Sequence, residues 1–436
     1  MRSPTSPTQP AGAFGRDVAS LTAVRLGGVG AAFLASAVAA RLLGPAELGI
    51  GGVALALATA AALVANGGVS MSTIYLLGRA DDRDRVASGL AGLTLLTVAQ
   101  ATVGAALVVA LFGAVSGWRD VGWIGAAAGL AGGAAIAAEI VGAQLLGVGR
   151  TGSYRFSEAL RPAVTLVATI GLLVLSATAT AYVLAVAVGF AAAAAVALRS
   201  SAEGGGWRRP TVDRAVWRDA LGFGLRGQVG NVLGFLTLRL DLVIVGVLLG
   251  PTAAGLYFVA ARVSEVVTQL ANSTASLLFP IVAAADESST AAFTALAVRR
   301  VTAAVAVSAS ILGVASIPLL PLVFGPEFGP ALPSLGLLLV AAIPLAIARI
   351  LAGDLKGRGR PGLVSAAASL GLAILVAGDF LLLPVLGIEG AAAVSILAYG
   401  ANAVALAFAW RRATGAPVRD LLLAPADLRA IGRLRR

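Results

Sequence analysis

The 436-residue sequence contains neither cysteine nor histidine. Disulfides, thiol nucleophiles, thiolate metal sites, imidazole bases and most zinc sites are therefore excluded, and with them many classes of enzyme. Charged residues are also scarce, at 12% of the chain against roughly 25% in an average soluble domain. No G-x-x-x-x-G-K-S/T loop occurs, so the chain does not hydrolyse ATP through that motif.

Hydrophobic residues are abundant instead, at 58%. They form repeated apolar segments, each near or above the roughly 20 residues that a helix needs to cross ~30 Å of hydrocarbon. A helix satisfies its own backbone hydrogen bonds in lipid, whereas a transmembrane barrel shows alternating segments of about ten residues. The sequence therefore predicts an all-α polytopic membrane protein with about 12 transmembrane helices.

A polar, Gly-rich and basic stretch at 199–219 divides the predicted spans into two groups of six. We predict a cytoplasmic linker there, an N-terminal six-helix bundle at 18–198 and a C-terminal six-helix bundle at 220–410. Residues 1–17 are expected to form a disordered cytoplasmic tail, and 411–436 a basic cytoplasmic tail. The predicted spans are 18–43, 48–77, 86–115, 121–148, 156–177, 180–198, 220–249, 253–283, 301–325, 330–353, 361–384 and 388–410.

Lys and Arg are distributed unequally between alternate loops, and cytoplasmic loops of membrane proteins carry the excess. The loops on the side of the N-terminus hold 25 of the 32 Lys and Arg residues, and the opposite loops hold Arg41 and Arg119. This distribution predicts that both termini lie in the cytoplasm. It also explains the net charge of +11 as a topology signal and not as a nucleic-acid-binding surface.

A sequence repeat relates the two halves. Leu42–Pro45 and Gly49 match Leu248–Pro251 and Gly255 at an offset of 206 residues. Further matches are Asn66 with Asn272 at the same offset, and Gly147, Gly149, Arg150 and Gly152 with Gly357, Gly359, Arg360 and Gly362 at an offset of 210. Because six spans separate the copies, the halves share one orientation, which predicts a pseudo-two-fold axis along the membrane normal and a central cavity.

The glycine-rich turns of this repeat also fit G-x-G-x-x-G, the dinucleotide-binding fingerprint. That fingerprint requires a preceding strand in a soluble βαβ unit, whereas both copies follow a predicted membrane helix. We interpret them as short turns that carry arginine.

Charged residues inside predicted spans are the candidate functional residues, since such charges are costly unless they face a cavity or a partner. Three arginines are candidates for binding an anionic substrate: Arg25, Arg239 and Arg262. Four acids are candidates for ion pairs or for a coupling ion: Asp241, Glu265, Glu139 and Asp379. Arg226 and Arg349 lie near the cytoplasmic ends of their spans, where snorkelling explains them.

The strongest of these signals is the pair of spans joined by Gly250–Pro251. Asp241 and Arg262 lie at similar depths in them, so a direct ion pair is expected, and Glu265 shares a helix face with Arg262. Two interpretations stay open at this point. The cluster either receives an anionic substrate or only holds the second bundle together. No cofactor or metal site is predicted, although a proton or sodium ion is a possible coupling ion.

Three segments carry a family resemblance: RLLGPAELG at Arg41–Gly49, the stretch from Arg239 to Glu265, and LLFP at Leu277–Pro280. They resemble the polysaccharide and lipid-linked oligosaccharide flippases of the multidrug/oligosaccharidyl-lipid/polysaccharide exporter superfamily. The resemblance implies two six-helix bundles around a central cavity in the cytoplasmic membrane of a bacterial cell.

The same resemblance implies a function. The expected activity is movement of an undecaprenyl-diphosphate-linked glycan from the inner to the outer leaflet of the cytoplasmic membrane by alternating access. The expected partners are that anionic lipid-linked glycan, membrane lipids and glycan-assembly proteins, with no nucleic acid. The protein is not expected to be an enzyme.

Two alternative functions stay open at this stage. An ion-coupled multidrug antiporter of the same architecture would favour an acidic cavity, but five in-span arginines against four acids do not decide the question. A membrane glycan polymerase would present acids in a sizeable external loop, and the external loops here are short.

Overall fold

The computed structural model describes the backbone of residues 11–284 and 290–422, and within these ranges it leaves out the side chains of 11–26, 226, 277, 279–281, 283 and 284. The side chain of Arg25 and most of the two predicted tails therefore lie outside the described residues. The described part contains twelve α-helices and two short 3-10 helices, at Pro326–Ala331 and Val418–Leu421. The α-helices are α1 (Ala11–Asn66), α2 (Val69–Arg79), α3 (Arg83–Val115), α4 (Val121–Gly147), α5 (Thr151–Leu175), α6 (Ala179–Glu203), α7 (Arg214–Leu248), α8 (Pro251–Ala284), α9 (Thr290–Phe324), α10 (Leu332–Gly357), α11 (Pro361–Leu386) and α12 (Ile388–Thr414).

Helix α1 makes two crossings because it is interrupted at Gly44, whose φ of 70° and ψ of 177° are not helical. Glycine adopts this conformation without steric cost, and the following Pro45 cannot donate a backbone hydrogen bond. The matching turn of the second half separates two helices outright, with Gly250 at φ 85° and Pro251 as the first residue of α8. The repeated Gly-Pro pair thus produces the same change of direction twice.

The second predicted span, 48–77, is divided in the structure. Helix α1 ends at Asn66, and α2 begins at Val69 after two glycines with positive φ. Gly68 lies against the backbone of α7, since a Cβ at Gly68 would be 2.6 Å from Cα of Gly224. This close approach requires glycine on both helices and joins the two halves at the face that carries the α2–α3 turn.

The helices group into two bundles, as predicted. Helices α1 to α6 contact one another in the first, and α7 to α12 in the second. Across the boundary, α1 contacts α7 and α8, and α2 and α3 contact α7. The halves approach closely at Gly49 and Gly255, the repeat pair. Because these positions pack reciprocally, the prediction of two helical bundles related by pseudo-two-fold symmetry is confirmed.

The crossings are long and apolar. Ten segments of the described chain are long and apolar enough to span a membrane, and the first of them, Gly27–Arg79, covers two crossings. Helix α8 is not among the ten, because its central part carries Arg262, Glu265, Gln269 and Asn272. With α8 the crossings number twelve, and the chain is a multi-pass membrane protein.

The connection between the bundles is shorter than the predicted linker 199–219, because α6 continues to Glu203 and α7 begins at Arg214. It is fastened to the start of α3 by side-chain pairs, Arg85 Nε to Asp213 Oδ2 at 2.7 Å and Arg208 Nε to Asp84 Oδ1 at 2.7 Å. The hydrogen bond and charge of Arg85 hold the pKa of Asp213 below its usual range. The domain boundaries given above stay predictions.

Candidate functional site

A cavity of about 640 Å³ lies between the two bundles. Its walls come from α1, α4, α5 and α6 of the first bundle and from α8 of the second. We call it the central cavity. Small residues that recur at helical spacing on α1 and α4 leave the space open, among them Gly28, Ala32, Ala131, Gly132 and Ala135. Its polar and charged lining residues are Ser36, Thr59, Glu158, Arg161, Thr165, Tyr182, Arg262, Gln269, Asn272, Ser273 and Ser276.

Arg262 reaches the central cavity from the middle of α8. It lies eleven residues after Pro251, or ~16 Å along the helix. Its guanidinium carbon sits 5.5 Å from the ring centre of Phe258, and Nη1 donates to Glu265 Oε2 at 3.1 Å. Its buried Nε has no hydrogen-bond partner among the described residues. The side chain is therefore oriented by two neighbours, and part of it stays exposed at the cavity wall.

Arg239 does not line the central cavity but supports it. Its Nη2 lies 2.6 Å from Glu265 Oε1, so Glu265 bridges Arg239 on α7 and Arg262 on α8. The exposed fraction of the side chain is 22% for Arg239, 31% for Glu265 and 33% for Arg262. One carboxylate shared by two guanidinium groups leaves the trio with a net positive charge beside the cavity.

The prediction of an ion pair between Asp241 and Arg262 is wrong. Asp241 accepts hydrogen bonds from Tyr257 Oη at 2.6 Å and from the backbone N–H of Leu242 at 2.7 Å. The reason is helical geometry, since residues two apart point about 200° from each other around the axis. Arg239 faces Glu265, so Asp241 points into the interior of the second bundle.

Asp379 lies in the same interior, on α11, which packs against α7. Its side chain is fully buried, and neither carboxylate oxygen has a hydrogen-bond partner among the described residues. A buried carboxylate without a partner is costly unless it binds a proton or a cation. The pair Asp241 and Asp379 is therefore a candidate site for a coupling ion. In the described part of the chain no cluster of three or more acids is placed to hold a metal ion.

Glu139, a candidate from inside a predicted span, is exposed in the structure. Its Oε1 accepts hydrogen bonds from Asn66 Nδ2 at 2.9 Å and from Ser70 Oγ at 2.7 Å. These donors flank the glycine break between α1 and α2, and Ser70 N also donates to Asn66 Oδ1. Glu139 therefore stabilises the break. The repeat partner of Asn66, Asn272, instead lines the central cavity.

Comparisons with known proteins agree with this architecture. A family model described as polysaccharide biosynthesis protein matches residues 38–333. This chain belongs to that family. No curated protein matches the sequence closely enough to count as a relative.

Solved structures share the fold of this polysaccharide biosynthesis family member. The lipid II flippase MurJ in an inward closed conformation aligns with a TM-score of 0.77 at 12% identity, covering 95% of this chain and 91% of its own. An inward-facing multidrug resistance MATE transporter of the MOP superfamily aligns with 0.61 at 15% identity, covering 90% and 94%. A MOP superfamily transporter from Pyrococcus furiosus aligns with 0.54 at 14% identity, covering 91% and 94%.

Two groups of charged residues in this family member were not predicted from the sequence. Arg161 lines the central cavity. It was one of the 25 cations counted with the loops, although it falls inside the predicted span 156–177. Because α5 begins at Thr151, Arg161 lies ~15 Å along that helix. It pairs with Glu158 at 3.7 Å, and its guanidinium carbon is 5.0 Å from the ring centre of Phe190. The i,i+3 spacing of Glu158 and Arg161 was the available signal.

The second group is a buried ion pair at the end of α10. Asp354 and Arg358, 0% and 1% exposed, are joined at 2.7 Å. Thr294 Oγ1 donates to Asp354, and Arg358 Nη2 donates to Thr290 Oγ1, each at 2.7 Å. Because both partners are satisfied within the second bundle, this pair fastens α9 to α10 and offers no binding site.

Proposed function

We propose that this protein is a transporter that moves an undecaprenyl-diphosphate-linked oligosaccharide or polysaccharide precursor from the inner to the outer leaflet of a bacterial cytoplasmic membrane. The observation that carries the proposal is the central cavity between the bundles, into which Arg262 and Arg161 project from opposite halves. The membership in the polysaccharide biosynthesis family and the fold shared with a lipid II flippase support it.

Arginine suits a diphosphate for two reasons. Its planar fork of donors matches phosphate oxygens in a bidentate geometry, and it stays charged at any physiological pH. In the central cavity, Arg262 is held by Glu265 and Phe258 while part of its side chain stays exposed, and in this proposal that exposed part donates to the anion. Arg161 supplies a second guanidinium from α5. In this proposal the two arginines hold the diphosphate while the lipid tail stays in the membrane. The backbone of Arg25 lies one turn before the cavity residue Gly28, and we propose it as a third cation.

Alternating access follows from the way the halves are joined. At one face they meet at Gly49 and Gly255, and at the other at Gly68 and Gly224. Apolar side chains of both bundles also pack around each contact, with Leu48 and Phe258 near the first and Val69 and Ala220 near the second, so opening either side gives up that packing. Separating one contact while the other stays closed would open the central cavity to one side of the membrane at a time.

The coupling ion is proposed to bind in the second bundle, at Asp241 and Asp379. Asp241 lies two residues from Arg239 on α7, and Arg239 contacts Glu265, which contacts Arg262 in the central cavity. A proton or sodium ion that neutralises one of the two acids would change the field on α7 and thereby the position of Arg239. In this proposal α7 is the path between the ion site and the substrate site.

A multidrug antiporter of the same architecture remains a second candidate, because Glu158 also lines the central cavity and would attract a cationic compound. The two functions predict opposite charges for the cargo. The termini of the chain are proposed to lie in the cytoplasm, and glycan-assembly proteins are proposed as partners.

The test replaces Arg262 by Ala in cells that lack the chromosomal gene. We expect export of the glycan to fall to the level of the deletion and the lipid-linked precursor to accumulate in the inner leaflet, while the variant is still found in the membrane. Arg300→Ala is the matched control, because Arg300 is an exposed arginine on α9 that does not line the cavity. Normal export by Arg262→Ala would contradict the proposal. Loss of resistance to cationic compounds with normal export would favour the antiporter.

A further inference from the structure

A second, smaller opening of about 80 Å³ lies within the second bundle, between α7, α10, α11 and α12. We call it the C-bundle cleft. Gly234 and Leu238 line it at the positions that Gly28 and Ala32 occupy in the central cavity, at the repeat offset of 206. Leu345 corresponds in the same way to Ala135, at the offset of 210. The cleft is therefore the counterpart, in the second half, of the first half's contribution to the central cavity.

The charge of the C-bundle cleft is positive. Arg349 and Lys356 line it, and none of its lining residues is acidic. The two cations are seven residues apart on α10, so they lie on one helix face about 10 Å apart. At the offset of 210, Arg349 takes the place of Glu139, which reverses the charge between the halves.

Within the part of the chain that the structure describes, the cations of this cleft are not neutralised by acidic side chains. Neither Arg349 nor Lys356 forms an ion pair within the described residues, whereas the nearest acid along the chain, Asp354, is already held by Arg358 and Thr294. Asn402, a further lining residue, has a buried Oδ1 without a hydrogen-bond partner in the described structure. A cation at this depth is costly without a counter-charge. Snorkelling would place the guanidinium of Arg349 at the membrane surface, but it does not explain why Arg349 lines a cleft inside the bundle.

The surroundings of the cleft are apolar and face outward. Val229, next to the lining residue Gly230, is 58% exposed, and Leu363, next to the lining residue Val364, is 41% exposed. These side chains belong to α7 and α11, two of the four helices that border the cleft. A positive cleft beside lipid-facing side chains matches an amphiphile with an anionic head and apolar tails.

We propose that the C-bundle cleft binds the phosphate group of an anionic membrane lipid. Arg349 contacts the phosphate within the bundle and Lys356 contacts it from the membrane surface. A volume of 80 Å³ corresponds to roughly five to eight water-sized positions, enough for a phosphate but not for a sugar chain. This site is distinct from the central cavity, and it does not depend on what the protein transports.

The experiment uses the full-length protein purified in detergent. Native mass spectrometry counts the lipids retained when phosphatidylglycerol or phosphatidylcholine is added, and a parallel arm measures the thermal shift produced by inorganic phosphate. We expect wild-type protein to retain one phosphatidylglycerol that it does not exchange for phosphatidylcholine. The Arg349→Gln, Lys356→Gln double variant should bind it roughly tenfold or more weakly, because the charge-assisted contacts to phosphate are lost.

Three further variants separate the cleft from the general membrane surface. Arg300→Gln removes an exposed arginine of the same bundle and should leave retention unchanged. Gly234 and Gly222 on α7 both have open space at the position of a Cβ, but only Gly234 lines the cleft. Gly234→Leu should therefore abolish retention by filling the cleft with no change of charge, and Gly222→Leu should not.

The source of the phosphate is decided by the two arms. Retention of phosphatidylglycerol that depends on Arg349 identifies a lipid, and a thermal shift by inorganic phosphate alone that depends on Arg349 identifies a free anion in its place. Equal lipid retention in wild-type protein and in the folded double and Gly234→Leu variants, together with no phosphate shift, would overturn the proposal. Because no arm measures transport, failure here leaves the proposed transport function standing.

Discussion

Gly49 and Gly255 pack directly against each other's backbones, with a Cβ at Gly49 placed only 2.7 Å from the backbone nitrogen of Gly255. The contact is reciprocal, because a Cβ at Gly255 would lie 2.7 Å from the carbonyl carbon of Pro45. These residues are 206 apart and were matched from the sequence alone. Two glycines at equivalent positions of the sequence repeat thus lie at the contact between the two halves.

Gly49→Ala or Gly255→Ala is expected to destabilise the protein by about 1–3 kcal/mol, because the added methyl group overlaps backbone atoms that cannot move independently. Thermal unfolding in detergent measures the change. Gly104→Ala is the control, since Gly104 lies in helix α3 with nothing within 4 Å of an added Cβ and should be neutral or stabilising. Equal melting temperatures for Gly49→Ala and Gly104→Ala would show that the halves do not meet as described.

Glu265→Gln is expected to cost about 1–3 kcal/mol of stability, because Arg239 and Arg262 lose the charge of the carboxylate they share. Glu158→Gln is a matched control on the other side of the central cavity. Its ion pair with Arg161 is long, at 3.7 Å, and both side chains are more exposed, so its stability should change by less than ~1 kcal/mol. The same thermal unfolding assay compares the two variants.

The prediction for Glu265 fails if Glu265→Gln and Glu158→Gln shift the melting temperature equally. A second measurement tests whether Glu265 and Arg239 interact. If Glu265 acts on Arg239, the Arg239→Ala substitution should cost less stability in the Glu265→Gln protein than in the wild type, since interacting residues are not additive.

The fold and part of the candidate site could be predicted from the sequence, and particular residues show why. The Gly44–Pro45 and Gly250–Pro251 turns depend on local backbone conformation, so the sequence reveals them. Arg262 could be placed at depth by counting residues from such a turn. The partner of Asp241 could not, because it depends on the rotation of α7 about its own axis, which packing decides. Arg161 was missed because the start of α5 carries polar residues that resemble a loop.

Acidification is expected to loosen the connection between the bundles. The pKa of Asp213 is lowered in the folded protein by the hydrogen bond and charge of Arg85, so its contribution to stability is present above the pKa of the unfolded chain. That contribution is lost as pH falls through the lower, folded-state pKa. Hydrogen exchange of residues 205–213 measured as a function of pH should show protection at neutral pH and its loss at acidic pH.

Asp213→Asn tests the cause of that pH dependence. Asparagine still caps the first turn of α7, where Asp213 Oδ1 accepts from the N–H groups of Ala215 and Val216, but it removes the charge that Arg85 contacts. Protection should then be weaker at neutral pH and should vary less with pH. Asp219→Asn is the control, because its pair with Arg218 is exposed and outside the connection. An unchanged pH profile in Asp213→Asn would assign the effect to another group.

Asp379→Asn is expected to keep or raise stability while abolishing gradient-driven transport. Both Asp379 and Asp354 are fully buried, but Asp354 is joined to Arg358 and Thr294, and Asp379 has no hydrogen-bond partner among the described residues. Neutralising Asp379 therefore removes a cost of burial, whereas Asp354→Asn breaks a buried ion pair and should cost about 3–5 kcal/mol. The proposed role of Asp379 in ion coupling predicts that transport by Asp379→Asn no longer responds to a proton or sodium gradient imposed across proteoliposomes. A stabilised variant that still responds to the gradient would place the coupling ion elsewhere, since the loss of a functional charge and the gain in stability are expected together.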